Sequence, residues 1–122
     1  MSAKIIDGKK VAKLTRDQIR EDVNNWVSQG NRPPFLQVLQ VGSDPASSTY
    51  IRAKTRACED VGIETGTMHL PDTISAKDLK VEINKINNDD SVDGILVQLP
   101  LPSHLSSHDV IESIDYRKDV DG

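Results

Sequence analysis

Phe35-Leu-Gln-Val-Leu-Gln-Val41, followed at once by Gly42-Ser43-Asp44-Pro45, reads as a strand, a break and the opening of a helix. The first run is mostly apolar, although Gln37 and Gln40 keep it from being apolar throughout. Pro33-Pro34 ahead of it forbids helix and favours an extended entry. Pro45 suits a first helical turn, and Ser43 or Asp44 can cap the free N–H groups there. The helix is predicted to run to about Val61 and to stop at Gly62, a residue type that takes the left-handed conformation without strain.

The same alternation spreads outward from this stretch. Upstream, after the Asp7-Gly8 turn, Ala12, Ile19, Val23, Trp26 and Val27 recur at near-helical spacing up to Gly30. Downstream, a short strand is predicted over 65–70 and is stopped by Pro71. Ser75-Ala-Lys-Asp78 resembles a capping box with Asp in place of Glu, and opens a helix with the apolar stripe Leu79, Ile83 and Ile86. Asp93-Gly94 turns the chain into Ile95-Leu-Val97, which is apolar at every position, as in a strand covered on both faces. Pro100 and Pro102 end that strand. A short fourth helix is predicted over 109–114, capped by Ser106 or Ser107, before the charged loop Tyr116-Arg-Lys-Asp-Val-Asp-Gly122.

Helices and strands alternating at these lengths imply right-handed crossovers. The fold class predicted is α/β: a small parallel sheet flanked by helices (αβαβαβα) in a three-layer sandwich, with the whole chain as one domain. Its 122 residues suffice for a real core without staples. A net charge of −4 argues against nucleic acid as a partner, since phosphate binding needs a basic face. One cysteine excludes an internal disulfide and fits a reducing compartment. No apolar run approaches a membrane span, and the N-terminus lacks signal- or transit-peptide character, so the expectation is a cytoplasmic protein.

Ligands of open α/β sheets bind beyond the C-terminal strand ends. Here those ends are Gly42-Ser43-Asp44, Leu70-Pro71-Asp72 and Gln98-Leu99-Pro100. On the second helix Ile51, Cys58 and Val61 define an apolar arc that also takes in Ser47 and Lys54, with Tyr50 at its border. Lys54 has two readings: a snorkelling side chain, or an amine held in a cleft wall and made less basic by burial, suited to proton transfer. Tyr50, one turn away, is either a packing tyrosine or a hydrogen-bond partner of Lys54 with a flat ring for a heterocycle. Gln98 is either satisfied by backbone or reads a ring bearing both donors and acceptors.

Other signals are weaker. His104 and His108 span a serine-rich loop without a third ligand nearby, so no metal site is predicted. Cys58 reads as a small core residue. The glycines never occur as G-x-G, so this chain is not expected to bind NAD(P) by itself.

Three stretches together resemble one family. Val41-Gly-Ser-Asp-Pro-Ala-Ser47 with Tyr50-Ile-Arg-Ala-Lys54 and Cys58-Glu-Asp-Val-Gly-Ile63 is similar to the first signature of the methylenetetrahydrofolate dehydrogenase/methenyltetrahydrofolate cyclohydrolase family. Asp93-Gly-Ile-Leu-Val-Gln-Leu-Pro-Leu-Pro102 is similar to the second, and Lys118-Asp-Val-Asp-Gly122 to the segment that leads out of the family's N-terminal domain. Lys4-Ile-Ile-Asp-Gly-Lys9 fits as well, and Ile51 stands where valine is frequent.

The resemblance implies a two-domain enzyme of one-carbon metabolism with its active site in the interdomain cleft. That enzyme oxidises 5,10-methylenetetrahydrofolate to the 5,10-methenyl cation, passing hydride to NADP (or NAD), and hydrolyses the cation to 10-formyltetrahydrofolate. By motif position Lys54 is the catalytic lysine, Tyr50 the tyrosine stacking on folate, and Gln98 the glutamine that tunes Lys54. Asp121 grips the pterin, while Ser47 and Pro100 lie beside the substrate. An ammonium next to a forming cation is unfavourable, so Lys54 is expected to be partly neutral or to have its charge delocalised through Gln98. The chain would be the folate-binding half, 1–122, with the cofactor bound by a C-terminal Rossmann domain that it lacks. The full-length enzyme would be a homodimer and this part a monomer. The alternatives are a non-catalytic folate-binding or regulatory fragment, and an α/β interaction module in which Lys54 only snorkels.

Overall fold

A computed structural model describes residues 16–120. Within them the elements follow the predicted order: α1 (Arg16–Ser28), β1 (Phe35–Val41), α2 (Pro45–Asp60), β2 (Glu64–Leu70), α3 (Ala76–Asn87), β3 (Gly94–Val97) and α4 (Ser107–Glu112). The strands form one sheet in the order β2-β1-β3, with β1 parallel to both neighbours. From β1 the chain steps to one side through α2 and then crosses to the other side through α3. Right-handed crossovers in opposite directions place their helices on opposite faces.

The core divides accordingly. Leu36 and Val38 of β1 and Leu96 of β3 pack with Ile19 and Val23 of α1 and with Ile51 and Cys58 of α2. On the other face Leu39, Val41, Ile95 and Val97 pack with Leu79 and Ile83 of α3 and Val110 of α4. Successive strand residues thus serve opposite layers, which is why β3 is buried at every position. The edge strand β2 is covered less, and Glu64 and Thr67 are exposed. This is the three-layer α/β sandwich expected.

Local chemistry sets the helix ends. Asp44, not Ser43, caps α2, its Oδ1 accepting from Ala46 N at 2.9 Å. At the other end Gly62 has φ of +89°, and its N–H donates to Glu59 O while Ile63 N–H donates to Cys58 O. These two bonds are the paired closure of a Schellman motif, which spares the last carbonyls of the helix. Ser75 caps α3 by accepting from Asp78 N at 3.1 Å, as the capping-box reading expects.

Two boundaries differ from expectation. α4 lies two residues earlier than predicted, because Ser106 is its cap and accepts from Asp109 N at 3.3 Å. Asp109 is therefore inside the first turn, where a carboxylate complements the helix dipole, and does not begin the helix. β2 begins one residue early, at Glu64, whose N–H donates to Pro34 O at 2.9 Å. Ala12 of the first helical pattern lies outside the described residues.

Candidate active site

β1 and β3 run side by side in register, Leu39 opposite Val97, and Gln98 N extends the ladder by donating to Leu39 O at 3.0 Å. One step beyond that pair, Gln40 and Gln98 stand as neighbours at the C-terminal edge of the sheet. Both occupy positions of the face that packs on α2, and both reach that helix. Gln98, only 6% exposed, accepts at Oε1 from Lys54 Nζ at 3.2 Å and donates from Nε2 to Leu99 O at 2.8 Å. The backbone reading of Gln98 holds for one end of the amide, and the other end meets the lysine.

The structure thus brings Lys54 and Gln98 together across 44 residues of sequence. It corrects how Lys54 is held. The residue is exposed and does not lie within the buried arc. Side chains on a helix lean toward its N-terminus, and the N-terminus of α2 lies at the C-terminal edge of the sheet. The Lys54 stem therefore reaches along the helix to that edge, where Gln98 holds the amine. Burial, which the cleft-wall reading invoked, is not what fixes it.

Tyr50 is 60% exposed, and the partner of the Lys54 amine is Gln98 and not the phenol, against the expectation of a Tyr50–Lys54 hydrogen bond. Its ring stands free on the exposed side of α2, one turn before Lys54. Ser47 is 4% exposed in the first turn of the same helix. Pro100 is exposed in the loop after β3, and the Leu99–Pro100 peptide is cis.

Asp121 lies outside the described residues, but the segment leading to it is well anchored. Ile95 N donates to Lys118 O at 2.7 Å, Asp119 bridges to Ile95 in parallel fashion, and Val120 is buried with the α1/α2 core. Lys118 Nζ donates to Ile86 O at 2.9 Å and Asp89 O at 2.7 Å, tying the segment to the end of α3. Burial lowers the Lys118 pKa from its ordinary value, against the attraction of Asp89, Asp115, Asp90 and Asp93.

His104 and His108 are engaged separately: His104 Nε2 lies 2.7 Å from Ile74 O, and His108 Nε2 lies 3.2 Å from Glu112 Oε1. Cys58 is buried, and burial foremost, with Glu59 adding to it, pushes its thiol from the ordinary 9.0 up to about 11. Since the thiolate is the reactive form, native protein is expected to resist iodoacetamide at pH 8 and to label quickly in denaturant. Fast labelling of the native chain at that pH would contradict the burial of Cys58.

Sequence reasoning missed Gln40, treating it only as a polar interruption of a strand. It is 2% exposed, and its Nε2 donates to Ser48 Oγ at 3.0 Å. A polar residue at the last position of a buried strand but one, just ahead of a Gly turn, was the signal available.

A three-stranded parallel sheet with two buried glutamines and a lysine at its C-terminal edge carries its polar groups at the end of the strands where open α/β sheets receive ligands. The tetrahydrofolate dehydrogenase/cyclohydrolase catalytic-domain model matches residues 6–121, and the chain belongs to that family. The bifunctional protein FolD of Aquifex aeolicus is 49% identical over 120 residues, which are 98% of this chain and 41% of that protein. A 5,10-methylenetetrahydrofolate dehydrogenase from the silkworm Bombyx mori superposes with a TM-score of 0.87 at 42% identity, over 95% of this chain and 40% of that one. The bifunctional FolD of Campylobacter jejuni gives 0.81 at 39% identity, over 97% and 40%. The chain thus spans about two fifths of the length of the relatives it matches.

Proposed function

We propose that this chain is the folate-binding catalytic part of a bifunctional enzyme of one-carbon metabolism. The enzyme oxidises 5,10-methylenetetrahydrofolate to the 5,10-methenyl cation, with NADP (or NAD) taking the hydride, and hydrolyses that cation to 10-formyltetrahydrofolate. The observation that carries the reading is the Lys54 Nζ–Gln98 Oε1 contact of 3.2 Å at the C-terminal edge of the sheet. It sets an amine able to transfer protons, held by one directional bond, where α/β domains receive their ligands.

In the hydrolytic step water adds to the methenyl carbon and gives up one proton. The carbon–N5 bond then breaks as N5 is protonated, and the remaining O–H proton leaves to solvent as the formyl C=O forms, so that one proton is released overall. Lys54 takes the proton from the attacking water and returns it as the ring opens, a role that needs an amine within hydrogen-bond reach. Gln98 Oε1 is an acceptor only, so it fixes one N–H of Lys54 and leaves the rest of the amine to face substrate. Tyr50 offers its free ring for stacking on the folate, and Asp121 a carboxylate for the pterin. Ser47 and Pro100 border the same edge.

The dinucleotide is assigned elsewhere on the grounds of the first strand–helix turn. The turn after β1 has a single glycine, and the Asp44 carboxylate already occupies the N-terminus of α2, where a pyrophosphate would have to sit. The cofactor site is assigned to a C-terminal domain beyond these residues. A Trypanosoma brucei relative of the fold is described as complexed with NADP cofactor and inhibitor. No helix among the described residues is long and apolar enough to cross a membrane. The cytoplasm is the proposed location, and a homodimer the proposed state of the full-length enzyme.

Titration of this chain with 5-formyltetrahydrofolate, a stable reduced folate, tests the reading. Saturable binding that is lost in Asp121→Ala is expected, and methenyl hydrolysis should appear on adding a C-terminal domain if not before. Absence of any saturable binding would sink it; binding without turnover in either form would leave a non-catalytic folate binder.

A further inference from the structure

Resting on that reading, we propose that Gln40 is a positioning residue: through Ser48 it fixes the rotation of α2 about its own axis, and so sets where Tyr50 and Lys54 face. The apolar contacts of Ile51 and Cys58 hold α2 against the sheet, but such contacts are non-directional. A small roll of the helix costs them little. Hydrogen bonds are directional and resist it.

Two such bonds tie α2 to the sheet from neighbouring strands. Gln98 of the β3 edge reaches Lys54, and Gln40 of β1 reaches Ser48. At about 100° per residue, Ser48 and Lys54 lie roughly 60° to either side of Ile51. A single tether lets the helix pivot about it, whereas two on opposite flanks do not. The Ser48 hydroxyl is itself committed: it accepts from Gln40 and donates to Asp44 O at 3.3 Å, so the clamp runs into the capped first turn. Gln40 is too deeply buried to serve as a direct ligand contact, which leaves helix orientation as its use.

The test compares Gln40→Leu, Ser48→Ala, their double variant and Ser48→Thr, which keeps the hydroxyl. The first readout needs no ligand: the NMR signal of the Gln98 side-chain amide, which senses the Lys54 contact. It is expected to move in Gln40→Leu and Ser48→Ala and to stay in place in Ser48→Thr. The second is affinity for 5-formyltetrahydrofolate, expected to fall about fivefold in either single variant. The double variant should be no weaker than the weaker single, because both cut one tether.

An unmoved Gln98 signal overturns the proposal, as does a double variant whose losses multiply. If the parent chain fails to bind the folate, the functional reading falls by itself and the Gln98 signal still decides the clamp. Should Gln40→Leu not fold, the Ser48 pair carries the comparison, since Ser48 is only half-buried.

Discussion

Replacing Lys54 with Met is expected to slow methenyltetrahydrofolate hydrolysis by about 10²–10⁴-fold, the range that a positioned proton-transfer group contributes. Met keeps most of the stem and removes the amine that meets Gln98 Oε1. Lys54→Arg makes the prediction sharper. Arginine retains the positive charge and can still donate to the Gln98 amide, but it does not give up a proton in a protein. If Lys54 moves protons, Arg fails almost as badly as Met; if it only supplies charge, Arg restores most of the rate. Initial rates are read from loss of the methenyl chromophore, on this chain and on this chain fused after residue 122 to the rest of the Aquifex aeolicus relative. A Lys54→Arg enzyme near parental speed would remove proton transfer from the account.

Much of this architecture could be read from the chain because local signals and burial agree. The strand Phe35–Val41 was bounded by proline before and glycine after, and the structure ends it at the same residues. β3 declared its double burial by being apolar at each position. Short elements were placed less well: α4 has one buried residue, Val110, so periodicity had little to act on and two serines competed as caps. The site was harder for a different reason. Helical phase put Lys54 in the buried arc, yet a long stem leaning toward the N-terminus carries its amine to the sheet edge, and phase alone takes no account of stem length. Nor does phase show which of Tyr50 and Gln98 the amine will meet, because Gln98 is brought near only by strand register. Gln40 escaped notice for the same reason, since its partner Ser48 is close only after β1 and α2 have folded back on one another.

Leu39→Ala is expected to destabilise the domain by about 2–5 kcal/mol, the usual loss for truncating a fully buried leucine. Leu39 is 0% exposed in the central strand and packs against the α3/α4 layer. Truncation leaves a cavity that neighbours cannot readily fill, since β1 is paired on both sides and cannot shift toward the void. Against a typical total of about 5–15 kcal/mol, such a loss brings the fold near its threshold. Val81→Ala provides the comparison: Val81 is 47% exposed on the outer side of α3, and its truncation should change stability by no more than about 0.5 kcal/mol. Urea melts followed by circular dichroism measure both. The Leu39 main chain also accepts the N–H of Gln98, so a loosened β1 should disturb the lysine–glutamine contact before the domain unfolds. A midpoint for Leu39→Ala indistinguishable from that of Val81→Ala would mean that β1 does not anchor the core, and that Gln98 takes its position from some other part of the structure.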